Sequence, residues 1–74
     1  MVETVFDAQG LQCPLPVLKT NKILHTMKSG HCIRVLANDR TTIKEFQEFC
    51  RRTGHSLVAF SDHGQYLSFL IKHK

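Results

Sequence analysis

Gly10-Leu11-Gln12-Cys13-Pro14-Leu15-Pro16 is the stretch on which the reading of this chain turns. Each proline restricts the residue ahead of it to extended backbone, which predicts that neither Cys13 nor Leu15 is helical. Pro16 then suits the first helical position, where a missing N–H removes no bond. Downstream, Val17, Ile23, Leu24 and Met27 fall on one face of a helix predicted from Pro16 to Lys28, with Lys19, Lys22 and Thr26 mostly opposite. Ser29-Gly30 is expected to end it, with Gly30 in the left-handed C-terminal position. Upstream, Glu3-Thr4-Val5-Phe6-Asp7 is β-branched and aromatic and reads as a strand, and Gly10 marks the turn that leaves it. Beyond the helix, Cys32-Ile33-Arg34-Val35-Leu36-Ala37 reads as a second strand. A helix between two strands predicts a parallel β-α-β crossover.

Asn38-Asp39 opens a second predicted helix, which Asp39 caps, or which Thr42 and Glu45 start as a capping box. Ile43, Phe46, Phe49 and Cys50 recur at helical spacing and form its buried stripe. Arg51 and Arg52 suit the negative end of its dipole, and Gly54 stops it. Ser56–Phe60 and Tyr66–Ile71 then flank a turn at Asp62-His63-Gly64 and read as a hairpin. The order β-α-β-α-β-β implies an α+β fold. Its natural packing is a two-layer α/β sandwich, a four-stranded mixed sheet with two helices on one face.

The 74 residues suit one domain spanning 1–74, with no room for a second. A chain this short buries only about 60% of its unfolded surface, so it cannot wall off a deep catalytic cavity. Chemistry is therefore expected near the surface, with a partner completing the site. With 42% hydrophobic and 22% charged residues, the composition is that of a globular chain. A net charge of +4 favours acidic partners, and it also lies within the ordinary solubility range. The N-terminal residues lack the basic and long apolar runs of a signal peptide, and no apolar stretch has membrane-spanning length. The expectation is a cytoplasmic monomer with no membrane contact. Three cysteines, an odd and sparse set, argue against a disulfide scaffold.

Cys13 sits in a stiff extended segment just upstream of a helix start. Both prolines lack an N–H, so the free donors there are predicted to be Leu15, Val17, Leu18 and Lys19. Such a setting favours a nucleophilic thiolate, with Lys19 and Lys22 adding positive field. No second cysteine lies two residues away, so a C-x-x-C redox pair is absent. A cysteine hydrolase would need an oxyanion hole and a cleft that the chain can hardly enclose. The least demanding chemistry is thiol exchange: taking a sulfur from another protein as a persulfide and passing it on. Cys32 and Cys50 read as structural, the first opening a strand and the second on an apolar stripe.

Metal binding by the cysteines and His25, His31, His55, His63 and His73 is not expected. Only His31-Cys32 are neighbours, and adjacent strand residues point to opposite faces. No cofactor is called for. Tyr66 and Phe69 read as packing groups rather than a base-stacking platform, so direct nucleic-acid contact is not expected.

Asp7-Ala8-Gln9-Gly10-Leu11-Gln12-Cys13-Pro14-Leu15-Pro16 resembles the signature of the TusA-like (SirA-like) sulfur-carrier family, whose hallmark is Cys-Pro-x-Pro. The likeness runs over nearly the whole chain, through Lys22, Gly30, Asn38-Asp39, Phe49-Cys50 and Gly54-His55. It departs from the family pattern at Asn38, where an acid is usual, at Arg40, where proline is common, and at Glu45, in place of aspartate. The resemblance implies the same sandwich and a persulfide relay. Cys13 would accept sulfur from a cysteine desulfurase or rhodanese-type donor and deliver it to an acceptor protein, as in tRNA 2-thiouridine synthesis. Gly10, Pro14 and Pro16 would shape the motif, and Lys19 and Lys22 would dock partners. Two other readings remain at this point: a basic RNA- or protein-binding regulatory module without thiol chemistry, and a thiol-disulfide redox protein.

Overall fold

The computed structural model describes residues 3–74. Along them run β1 (Glu3–Asp7), α1 (Leu15–Leu24), β2 (Cys32–Ala37), α2 (Thr42–Thr53), β3 (Ser56–Asp62) and β4 (Leu67–Lys72). The strands form one sheet in the order β1-β2-β4-β3. β1 lies parallel to β2, as a crossover through α1 requires, and β4 runs antiparallel to both β2 and β3. The fold is therefore the expected α+β sandwich. What the elements alone left open is that the last strand inserts beside β2 and pushes β3 to the edge.

Alternation decides which side is wet. Ile33, Val35 and Ala37 of β2 stand opposite Ile71, Phe69 and Leu67 of β4, and all six are fully buried. They meet Val17 and Leu24 of α1 and Phe46, Phe49 and Cys50 of α2 in one core. The Phe46 and Phe69 rings lie 4.6 Å apart at its centre. The intervening residues face the uncovered side, where Arg34 reaches Glu3 at 3.2 Å and Ser68 Oγ at 2.9 Å. A β-bulge between Leu57 and Ala59 breaks the register of the β3 edge, whereas β1 is regular.

Several local expectations need correction. Leu15 is the first residue of α1 rather than an extended residue, and Pro16 is its second. A turn already begun at Gln12, whose carbonyl accepts the Leu15 N–H at 2.9 Å, overrides the soft restriction that a following proline imposes. The helix stops at Leu24, not Lys28. Thr26 and Met27 donate to the carbonyls of Ile23 and Leu24, three residues back, and this tightening unwinds the last turn. Gly30 does take positive φ (+87°), but in the turn into β2, where its N–H reaches the His73 carbonyl. α2 has no Thr42–Glu45 capping box. Thr42 is buried and its hydroxyl donates to the Asp39 carbonyl at 2.6 Å. Gly54 ends α2 as predicted, at φ +88°.

Where β3 begins and β4 ends, His55 is buried. Its Nδ1 accepts the Lys74 N–H at 3.1 Å, which leaves the ring proton on Nε2. Its ring meets that of His73 edge-on at 4.7 Å. Burial, then the charges of His73, Lys74 and His25, hold the His55 pKa below its ordinary 6.5. The unfolded chain therefore takes up this proton before the folded one does. Stability should fall as pH drops from 6.5 through the lower folded value, and His55→Gln should flatten that decline in urea titrations.

The Thr20 hydroxyl, fully buried on α1, has no hydrogen-bond partner among the described residues. Thr20→Val, nearly isosteric and similar in helix propensity, is expected to raise the unfolding free energy by about 1 kcal/mol.

Candidate functional site

The parallel pairing of β1 and β2 places the loops that follow them side by side. Ala8 extends the ladder by one bond, its N–H reaching the Leu36 carbonyl at 2.7 Å, and the chain then leaves the sheet. Asp7 Oδ1 accepts the Gln9 N–H at 3.0 Å, and Leu11 N–H closes a turn onto the Ala8 carbonyl at 3.1 Å. Gly10 sits at φ +89°, a conformation that disfavours any side chain, with its N–H 3.0 Å from Asn38 Oδ1. Three residues on, the Cys13 N–H donates to Asp39 Oδ2 at 2.9 Å. The other Asp39 oxygen accepts both the N–H (3.0 Å) and the hydroxyl (2.7 Å) of Thr41. The loop after β2 thus grips the loop after β1 at two points, on either side of Leu11-Gln12.

The Cys13 bond comes first among the interactions that hold the Asp39 carboxyl below the ordinary aspartate range, followed by those from Thr41. Arg40 extends the clasp by pairing with Asp62 at the β3–β4 turn, which draws the Asp62 carboxyl down in its turn. On that turn the His63 and Tyr66 rings stack at 4.5 Å. Tyr66 precedes β4 and packs on its own hairpin, while Phe69 lies in the core.

Cys13 is half-buried with a free thiol. The predicted set of free donors beside it shrinks. Leu15 N–H is taken by Gln12, Leu18 N–H reaches the Pro14 carbonyl at 3.0 Å, and Lys19 falls within the helical ladder. Among the described residues only the Val17 N–H of that set has no backbone acceptor. Pro14 is exposed as the residue before the helix, and Pro16 is buried beneath it. Leu15 and Leu18 are 43% and 57% exposed and lie on one helical turn beside Pro14. An open depression of about 400 Å³, lined by Gly10, Leu11, Gln12, Asn38 and Asp39, adjoins the thiol loop.

Lys19 and Lys22 do not join this group. With Phe6, Ile23 and Thr26 they line a separate groove of about 390 Å³ between α1 and β1. Cys32 and Cys50 are buried, and burial pushes the Cys50 thiol up to about 11. Cys32 opens β2 at the end away from the clasp, so the five further residues of the strand separate it from that end by roughly 16 Å. Neither thiol forms a disulfide with Cys13, whose own thiol is free. Among the described residues, no three His, Cys, Asp or Glu side chains form a group that could hold a metal ion, and no helix is long and apolar enough to cross a membrane.

The profile of the family described as "Sulfurtransferase TusA" matches residues 4–73. The chain belongs to the TusA family. It is 42% identical over 66 residues to the sulfur carrier protein TusA of Allochromatium vinosum, covering 89% of this chain and 87% of that one. Its fold matches the crystal structure of a SirA-like protein from Desulfitobacterium hafniense with a TM-score of 0.82 at 20% identity, over 96% of each chain. Two of the residues that the resemblance set apart, Asn38 and Arg40, have physical roles here. Asn38 supplies one carbonyl oxygen to one N–H, a task that needs no acid, and Arg40 ties the clasp to the hairpin.

Sequence alone reads Asp39 as a helix cap. Its bond to Cys13 lies outside that local reading, although two loops that leave adjacent parallel strands at the same end must be neighbours. Leu18, too, was a signal: an apolar residue off the buried stripe of α1. Asp39 uses both oxygens, and an amide offers one. Asp39→Asn should therefore speed hydrogen exchange at the Cys13 or Thr41 amide, whereas Asn38→Asp should leave both slow. Because the folded pKa of Asp39 is depressed, the clasp's contribution holds above the ordinary value of 3.8 and is lost as pH falls through the folded value. Exchange rates at Cys13, corrected for intrinsic pH dependence, should rise only in that acidic window.

Proposed function

We propose that this chain is a cytoplasmic persulfide carrier with Cys13 as the atom that is loaded and unloaded. The observation that carries the reading is a half-buried, unpaired thiol held in a stapled loop and flanked by exposed Leu15 and Leu18, in a member of the TusA family. The loop holds the sulfur at the surface without burying it. The two leucines offer a dry rim against which a partner can exclude water from the exchange.

The Cys13 thiolate attacks the outer sulfur of a persulfide on a cysteine desulfurase or rhodanese-type donor. A sulfur–sulfur bond forms to Cys13, the donor's own sulfur–sulfur bond breaks, and the donor leaves as a thiolate. The terminal sulfur keeps its proton or charge, and no net oxidation occurs. An acceptor thiolate then repeats the step on the Cys13 persulfide, on a route such as tRNA 2-thiouridine synthesis. The thiol stands two residues ahead of α1, whose Val17 N–H has no backbone acceptor. Gly10, Pro14 and Pro16 give the loop its shape, and Lys19 and Lys22 steer acidic partners. The chain works as one monomeric domain within a relay rather than as a stand-alone catalyst.

Incubation with a cysteine desulfurase and cysteine should add one sulfur atom to the protein by intact-mass spectrometry. Cys13→Ser should add none, while Cys32→Ser and Cys50→Ser load like the parent. Equal loading of the Cys13→Ser variant would overturn the assignment.

A further inference from the structure

β1 is an edge strand, and its alternation can be read from one bond. Ala8 directs its N–H to β2, at the Leu36 carbonyl. Residues two apart in a strand share a direction, so Phe6 and Thr4 also face β2, whereas Val5 and Asp7 turn their N–H and C=O groups outward. Among the described residues no strand takes them up. The two edges of the sheet are unlike. β3 carries a bulge, a device that blunts edge pairing, and β1 carries neither bulge nor proline.

The groove between β1 and α1 runs beside that open edge. Its floor is Phe6 and Ile23, and Lys19 and Lys22 stand exposed beside them. On the other face of β1 the side chains are Glu3, Val5 and Asp7, of which Val5 is 60% exposed. A strand added to this edge would place alternate side chains in two different settings. One setting is apolar with positive charge, and the other is apolar with the Asp7 carboxylate and the Glu3–Arg34 ion pair.

We propose that the β1 edge is a docking site for an extended peptide segment of a partner protein. The segment pairs with the outward groups of Val5 and Asp7. Toward the groove it directs aliphatic and acidic side chains, which meet Phe6 and Ile23 and then Lys19 and Lys22. Its opposite side chains are small or neutral, since an acid there would face Asp7 and a base would compete with Arg34 for Glu3. β1 is five residues long, so the contact spans about 17 Å and takes about five residues of the visitor. This deepens the carrier reading, on which it rests for a protein rather than another visitor, by naming what the two lysines grip. The docked segment would lie along the strand that leads into the Cys13 loop.

The test is a titration of the isotope-labelled full chain with an acetylated and amidated octapeptide of repeating Leu-Thr-Glu-Thr, followed by amide shifts and hydrogen exchange. The expected result is slowed exchange at Val5 and Asp7, with shifts at Lys19, Lys22 and Ile23. Reversing both lysines (Lys19→Glu, Lys22→Glu) should weaken binding roughly tenfold, as two exposed pairs become repulsive. Val5→Pro removes one outward donor without touching the β2 ladder, so it should abolish binding while the amide spectrum of β2 stays in place. Cys13→Ser should bind the peptide like the parent, so a failure of sulfur loading and a failure of docking are read separately. Shifts confined to β3 or to Leu15 and Leu18, no shift at millimolar peptide, or binding indifferent to the lysine reversal would overturn the proposal. So would an oligouridine that displaces the peptide from the groove.

Discussion

The parallel pairing of β1 with β2 is the constraint from which the rest of this structure follows. Parallel strands cannot be joined by a tight turn, so the chain must leave β1, cross through α1 and re-enter at the far end. Both strands then finish at the same end of the sheet, and the loops beyond them emerge as neighbours. Asn38 and Asp39 lie within hydrogen-bond reach of Gly10 and Cys13 for that reason, although 28 and 26 residues separate them along the chain. The site is therefore built by backbone donors and side-chain acceptors from two loops, with no cavity needed. A small core can support such a site because little must be buried to hold it.

The two ends of the sandwich are chemically different. At the clasp end, Asp39 and Asp62 are stabilised as carboxylates by the hydrogen bonds and the ion pair they accept. At the opposite end, His55 is kept neutral by burial and by nearby positive charge. Acid acts on both, but in different ranges: below 6.5 at the histidine end and below 3.8 at the clasp. Cys50 is insulated from such chemistry by the core that surrounds it. The division leaves Cys13 as the thiol that combines exposure with a held backbone.

The fold was largely legible because periodicity reports burial. The alternation Ile33, Val35, Ala37 and the helical spacing of Phe46, Phe49 and Cys50 each describe one buried face, and both are buried. Endings were less legible. The end of α1 depends on whether carbonyls bond to donors three or four residues ahead, a choice that propensity hardly constrains. Asp39 does not cap α2, whose N-cap is Thr41; it bonds Thr41 ahead of the helix and Cys13 across the loops, and local rules weigh only nearby donors. The exposed pair Leu15 and Leu18 shows the same gap. An apolar residue off the stripe announces a surface patch without saying what lies beside it.

By itself, the sequence determined the element order, the composition of the core, a helix following the Cys-Pro pair and the cysteine placed ahead of it. These are local properties, governed by backbone sterics and by hydrophobic spacing of a few residues. Only the tertiary structure decided that β4 lies between β2 and β3, that Asp39 holds the Cys13 backbone, and that Lys19 and Lys22 border a groove apart from the thiol. Those facts join residues far apart in the chain. No short-range rule contains them, because such contacts are chosen by which packing buries the most apolar surface while leaving each strand edge and loop donor a partner or water.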